Sequence, residues 1–263
     1  MMRSPGPATW AADGGHPSKW RTFVFGLYHL IALALFAGFV VAELILPGRA
    51  FPTSRHWHAR AALSTLVYFA VATFAPLIWD GVLGAHRLFD ATALPFWAQA
   101  LGGFLALELG VYAWHRTMHN LHPLWRWFHQ MHHSAERIDV WGAFYFSPLD
   151  MLGFAFVASL VLVLGFGLSG EAALVVNVAV TFLGMFQHAN IRTPHWLGYL
   201  IIRPESHAAH HERGVHAFNY CDLPLWDILF GTFKNPREYE GQAGFWDGAS
   251  AHVGPMLIGR DVA

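Results

Sequence analysis

The sequence predicts an all-α protein: a multi-pass transmembrane helix bundle of four or five apolar segments, roofed by a histidine-rich helical cap on the cytoplasmic side. Composition, the run of apolar stretches and the placement of histidine make that prediction. Of 263 residues, 55% are hydrophobic and 13% charged, against roughly a quarter charged in soluble domains. Mean hydropathy is +0.35. An apolar content this high excludes a disordered chain. The formal net charge of −1 supplies no basic stripe, so no nucleic-acid partner is expected. Cys221 is the only cysteine, which excludes an internal disulfide and any CxxC metal site. Histidine numbers 18, more than the 16 lysines and arginines combined.

Residues 1–21 form a polar, Gly/Pro-rich N-terminal tail. The first apolar stretch, 22–46, runs for 25 residues interrupted only by His29 and Glu43. It is too long for a signal-peptide core and lacks an A-x-A site at its end, so it is expected to remain as a span. Residues 61–78 are uncharged over 18 positions, and 94–114 carry only Glu108. Residues 151–168 are again 18 uncharged positions, and 172–186 are 15. Crossing the hydrocarbon takes about 20 apolar residues, so the first four qualify and the fifth is short. Ser169, Gly170 and Glu171 separate the last two, which reads as a helical hairpin. One such stretch alone would be a buried core helix; five in a chain of this length indicate a membrane.

Charge orients the bundle. If all five stretches cross, 12 of the 16 cations fall on one side, from Arg49, Arg55 and Arg60 through Arg116, Arg126 and Arg137 to the six beyond residue 190. Arg3, Lys19, Arg21 and Arg87 fall on the other. By the excess of cations, the first side is cytoplasmic.

That side also holds the histidines. His115 and His119 form an HxxxH directly after the third stretch; His129, His132 and His133 form one HxxHH, and His207, His210 and His211 another. On a helix, spacings of three and four put side chains on one face, with Cβ atoms about 5–6 Å apart. Each cluster can therefore aim two or three imidazoles at one point. Pro123 suits the first turn of a helix bearing the second cluster; Pro204 and Glu205 open the third, and Gly214 can close it. Neutral imidazole ligates Fe, Zn, Cu and Ni, and eight imidazoles exceed the needs of one ion, so two ions are the economical reading. His188, at the end of the fifth stretch, can complete the set from another helix.

The remaining histidines divide differently. His16, His56, His58, His86, His122 and His252 read as surface or satisfied core residues, and His29 as a helix–helix hydrogen bond. His195 and His216 are open between ligand and structural roles. His211-Glu212 begins like the zincin HExxH, but the next histidine, His216, comes one position late and leaves the helix face. No GxGxxG or P-loop occurs, which excludes nucleotide cofactors bound by those routes. Gly14-Gly15-His16-Pro17 is not the HPGG of a cytochrome b5 domain.

The HxxxH, HxxHH, HxxHH series downstream of membrane spans resembles the fatty acid hydroxylase/sterol desaturase superfamily. Trp114-His115-Arg116 with His119 is similar to its WHRxxH, and His132-His133-Ser134 to its HHS. Asn219-Tyr220 followed by Leu225-Trp226-Asp227-Ile228-Leu229-Phe230-Gly231-Thr232-Phe233 resembles its NYG…WDxLFGTF ending, with Cys221 where that family usually has glycine. The resemblance divides the chain into N-terminal spans at 22–93, a catalytic domain at 94–233 and a C-terminal tail at 234–263. It implies a non-haem di-iron enzyme using O2 to hydroxylate or desaturate a lipid C–H bond. His115, His119, His129, His132, His133, His207, His210 and His211 would be iron ligands, with His188 joining them. The electron donor would be a separate cytochrome b5, or a ferredoxin with its reductase. A bacterial inner membrane or the endoplasmic reticulum would suit it.

Expectations for the surroundings follow. Glu136, Glu205, Glu212 or Asp227 are placed to orient ligand N–H groups, Asp227 alternatively as a structural cap. Trp125, Trp127 and Phe128 suit an interfacial aromatic belt or a substrate entrance, and Arg126, Arg137 and Arg213 suit solvated surface or a carrier dock. Two other classes fit histidine in a membrane. A metal transporter would set its ligands near mid-span, and a zinc-dependent lipid hydrolase would need no O2.

Overall fold

The computed structural model describes residues 17–263, with side chains from residue 26 onward, so the tail at 1–16 and its His16 lie outside the described residues. The described residues form eleven α-helices: α1 Pro17–Ile45, α2 Trp57–Phe74, α3 Pro76–Ala85, α4 Phe96–Asn120, α5 His122–Leu124, α6 Gln130–His133, α7 Pro148–Ser159, α8 Gly170–His188, α9 Pro204–His210, α10 Pro224–Leu229 and α11 Val253–Leu257. Among the described residues there is no strand, only an isolated bridge between Glu212 and Ala243.

Among the described residues, five segments are long and apolar enough to cross a membrane: Gly26–Ile45, Trp57–Ala85, Phe96–Asn120, Pro148–Gly165 and Gly170–His188. The second joins α2 and α3, where Pro76 interrupts the hydrogen-bond ladder without turning the chain away. The fourth extends α7 by a π-helical turn, Leu160–Gly165. Proline and serine set the helix starts, because Pro at the first helical position has no N–H to waste and a Ser oxygen accepts an orphan one. Ser147 Oγ accepts from Asp150 N at the head of α7, and Ser169 Oγ from Ala172 N at the head of α8.

Helix α8 is central, packed against α1 and α4, while α7 packs on α2 and α4. Leu107, Leu162 and Val176 form the apolar contact between α4, the π turn and α8. Outward faces remain apolar: Leu44 and Ile78 are each 78% exposed, as in a protein solvated by lipid tails. Polar side chains link the spans internally. His29 Nε2 meets Thr73 Oγ1 at 2.8 Å between α1 and α2, the interhelical bond expected of it. Tyr28 Oη meets Thr181 Oγ1 at 2.8 Å between α1 and α8, and Trp79 Nε1 donates to Ser159 Oγ.

The connections at 46–56 and 121–147 and the residues beyond 188 lie at one end of the bundle and form a roof. Gly48 N donates to Asn190 O, and Glu43 Oε1, at the end of α1, accepts from both Val140 N and Asn190 N at 2.7 Å. The C-terminal residues return across this roof: Arg126 donates to Gly259 O, Tyr145 Oη to Ser250 O, and Met256 joins Trp57, Ala61 and Met131 in a core cluster. Glu43→Ala strands two buried N–H groups at about 1–3 kcal/mol each. It should lower the thermal midpoint by on the order of 5 °C, whereas Glu43→Gln, which keeps the accepting oxygen, should stay near the unsubstituted protein. Equal midpoints for both variants in a detergent melt would contradict this role.

Candidate metal centre

Helix geometry sorts the histidines into two cages. The first brings together His115 and His119 of α4, His129 and His133 of the second cluster, and His210 of α9; the second brings together His132, His188 at the end of α8, and His207 and His211. Within each, one nitrogen from every residue lies within 4.8 Å of the others. The HxxHH motifs are shared out reciprocally. The i,i+4 pair His129/His133 enters the first cage while His132 enters the second; the pair His207/His211 enters the second while His210 enters the first. This differs from one aim point per cluster. Around a helix, i and i+4 stand some 40° apart, whereas i+3 and i+4 diverge by about 100°. The two cages therefore adjoin, with the rings of His133 and His211 stacked at 4.1 Å.

Local structure supplies the angles. Pro123 lies in the first turn of α5, and the chain passes through a π turn at Trp125–His129 directly into α6, which carries His132 and His133. Single π turns of this kind mark functional sites. Helix α9 starts at Pro204 as expected but ends at His210, not near Gly214. There His210 Nδ1 donates to Phe218 O at 2.7 Å, and the chain turns away.

Hydrogen bonds on the far ring nitrogens fix the tautomers. His115 Nδ1 donates to Tyr220 O at 2.9 Å, His188 Nδ1 to Gly184 O at 2.7 Å, and His129 Nδ1 to Asp150 Oδ2 at 2.7 Å. A carbonyl only accepts, so in neutral His115, His188 and His210 the proton sits on Nδ1 and Nε2 is a bare lone pair. His129, facing a carboxylate, is set the same way. Yet His115 Nε2 and His129 Nε2 stand 2.8 Å apart, and His210 Nε2 is buried without any partner. In the second cage His188 Nε2 lies 3.2 Å from His132 Nε2 and 3.0 Å from His207 Nε2, which lies 3.0 Å from His211 Nε2. Facing lone pairs repel unless a cation lies among them. Ligands at right angles on one ion, each bonded at about 2.1 Å, are separated by about 3 Å. The donor set thus fits two metal ions. Burial, with neighbouring rings adding to it, pushes the pKa of His129, His132, His133, His207, His210 and His211 well below the usual range, and so presents the neutral form that ligation requires.

The carboxylate that meets a cage histidine is Asp150, against His129 Nδ1, and it lies outside the four expected ones. Glu136 accepts from Ser250 N and Oγ, Glu205 from Thr193 and Arg203, and Glu212 lies 3.6 Å from Lys234 Nζ. Asp227 is a structural cap: it accepts from Tyr220 N and Thr232 Oγ1, and so holds the loop whose Tyr220 carbonyl anchors His115. Asp150 sits one residue before the apolar run at 151–168, at the N-terminal turn of α7; a buried acid beside a span was the available signal. Cys221 is accommodated in place of glycine because the left-handed residues of this loop are Phe218 and Asn219, at φ of 73° and 46°.

His216 stands at the rim, its Nδ1 3.1 Å from His133 Nδ1, with its own pKa lowered to about 4 by burial. His195 Nε2 meets Asn235 O away from both cages. Trp125 is buried against the rings of His119 and His133, Phe128 packs edge-on against Trp114, and Trp127 is exposed. Arg126, Arg137 and Arg213 are engaged by Gly259 O, Asp139 and Asp247 respectively.

A helical membrane bundle carrying two buried imidazole cages at one end defines the class. The sequence model of the fatty acid hydroxylase family matches residues 100–232, half of the chain, and the chain belongs to that family. It is 33% identical over 181 residues to the ornithine lipid hydroxylase OlsE of Rhizobium tropici, a match covering 67% of this chain and 53% of that one. It is 27% identical to the Delta(7)-sterol-C5(6)-desaturase of Nicotiana tabacum, over 59% of this chain and 57% of that one. It is 26% identical to a sphingolipid C4-hydroxylase of Saccharomyces cerevisiae, over 62% and 47%. The chain spans about half the length of the curated relatives it matches. No solved structure matches it.

Asp150→Ala should weaken metal binding about 10- to 100-fold by freeing the His129 ring, the usual effect of losing a ligand's orienting partner. Metal titration followed by competition with a chelator reads this. An affinity equal to that of the unsubstituted protein would show that Asp150 has no part in setting the cage.

Proposed function

We propose that this chain is an O2-dependent di-iron oxidase that hydroxylates or desaturates a C–H bond of a membrane lipid. The observation that carries the reading is the pair of adjoining cages, five imidazoles and four, set where apolar spans meet the roof. The roles follow from the geometry: His115, His119, His129, His133 and His210 would hold one iron, and His132, His188, His207 and His211 the other. When bound, the iron pair supplies the O2 activation and hydrogen abstraction that no side chain can perform. For hydroxylation one oxygen atom goes to the lipid and the other to water, with two electrons and two protons supplied; for desaturation both oxygen atoms leave as water. The electrons come from a separate carrier, a cytochrome b5 or a ferredoxin with its reductase.

The chain's own contribution is rigidity and dryness. Tyr220, Phe218 and Gly184 carbonyls and the Asp150 carboxylate hold the rings in place. Trp125 and Tyr220 close the first cage, and Phe146 stacks on His132 at 4.3 Å. Residues 94–233 form the catalytic part in this reading, and the cation-rich roof faces the cytoplasm of a bacterial cell or the cytosolic side of the endoplasmic reticulum. The activities for which the relatives are named, on ornithine lipids, sterols and sphingolipids, support a lipid substrate. The cages' position at the span ends favours an enzyme over a transporter.

Lipid profiles of cells with and without the protein provide the test. A lipid gaining 16 mass units or losing 2, only in air and only with the protein, is the expected result; an unchanged profile in an iron-loaded, aerated culture would sink the reading, and an O2-independent product would transfer it to a hydrolase. His132→Ala should abolish turnover and release metal from the second cage. Full activity with full iron content in that variant would remove His132 from the ligands.

A further inference from the structure

We infer that the seam between α4 and α7 is the path by which one acyl chain of a bilayer lipid reaches the cages, with Phe154 setting which carbon stops beside them. This rests on the oxidase reading and adds the route. Four aromatic side chains contact the first cage from outside the histidine set. Trp125 and Tyr220 are buried, whereas Phe146 and Phe154 are only half-buried although the rings they cover are buried. Phe154 lies 6.2 Å from both His115 and His129, and Phe146 lies 6.2 Å from His129 and 5.8 Å from Phe154. An accessible apolar ring against a buried cage is where the bilayer side meets the metals.

The groove leading there is already formed. A depression of about 350 Å³ runs along the seam, lined by Gly110, Ala113, Trp114 and Thr117 of α4 and by Val157, Leu160 and Val161 of the fourth span. Phe154 and Val157 are spaced i, i+3 on α7, so Phe154 stands one turn from the groove's wall, on the side of the cage. Glycines set its depth. A Cβ on Gly110 would meet Val161 at 2.9 Å, and one on Gly153 would meet the Trp114 ring at 2.9 Å, so both positions need glycine for the helices to approach. The groove has no ionisable lining and opens between two spans, so a hydrocarbon chain is its natural occupant. The one hydroxyl of the lining, Thr117 Oγ1, is spent on Ala113 O at 2.6 Å, and the Trp114 ring turns its Nε1 inward, buried toward Gly153, so the wall offers a lipid only apolar contact.

The test combines labelling with substitution in the full-length, iron-loaded protein. A phospholipid carrying a diazirine midway along one acyl chain should crosslink preferentially to the segments bearing Trp114 and Val157. Labelling confined to the outer face of α1 would overturn the route, and this readout does not depend on turnover. Val157→Phe, which fills the groove, should slow formation of the unsubstituted protein's lipid product by about tenfold or more with iron per chain unchanged. Phe154→Leu should move the oxidised carbon along the chain. Wild-type rate and product position in both variants would overturn the proposal, while absence of any product from the unsubstituted protein would instead overturn the oxidase reading.

Discussion

Lone pairs facing one another at about 3 Å inside a buried site are the constraint on which the rest of the structure depends. His115 and His129 each spend their ring proton on an acceptor outside the cage, and their Nε2 atoms then meet at 2.8 Å with nothing to donate between them. A buried acceptor without a donor is costly, and several in one cage are tolerable only around a cation. Each cage is therefore a donor set suited to a cation. Sharing each HxxHH between two cages keeps the cages adjoining, which a pair of independent three-histidine sites would not do.

Holding nine imidazoles at such distances needs supports stiffer than loops. Three of the anchors are backbone carbonyls, and a carbonyl accepts in any protonation state. The fourth, Asp150, sits in the first turn of α7, fixed there by the Ser147 cap. The Tyr220 carbonyl is held from behind by Asp227, and the loop beyond it by Glu108, whose Oε2 accepts from Asp222 N and Leu223 N. Glu108 is the acid that interrupts the third apolar stretch, and its burial within α4 is explained by this tie. The C-terminal residues lock the roof down through Ser250, Gly259 and Arg260. Spans and roof thus act as one frame, with the lipid-facing surface left apolar.

Much of this was legible in the sequence. The five spans are long-range averages of hydropathy, insensitive to any single residue, and all five recur, with limits shifted by at most seven residues. The nine histidines could be picked out because imidazole is rare at such density, and i,i+4 spacing is itself a geometric statement. Division into two cages was not legible, since it depends on the π turn at Trp125–His129 and on how α6 and α9 face each other, neither of which has a local sequence mark. Orientation of the rings was the least readable part. Backbone carbonyls of Phe218, Tyr220 and Gly184 carry no side-chain identity, and Asp150 was hidden by lying just outside the apolar run it serves. Glu136, Glu205 and Glu212, which lie beside the histidine motifs in sequence, brace the roof instead, because proximity along a folded loop says little about direction, while Asp227 takes the capping role that was its alternative.

The most direct test of the account is the iron content of the purified protein, determined by elemental analysis alongside X-ray absorption at the iron edge. The account predicts two irons per chain, each surrounded by imidazole nitrogen at about 2.1 Å and each with a second iron nearby. A single ion per chain, or iron bound through oxygen alone, would contradict it.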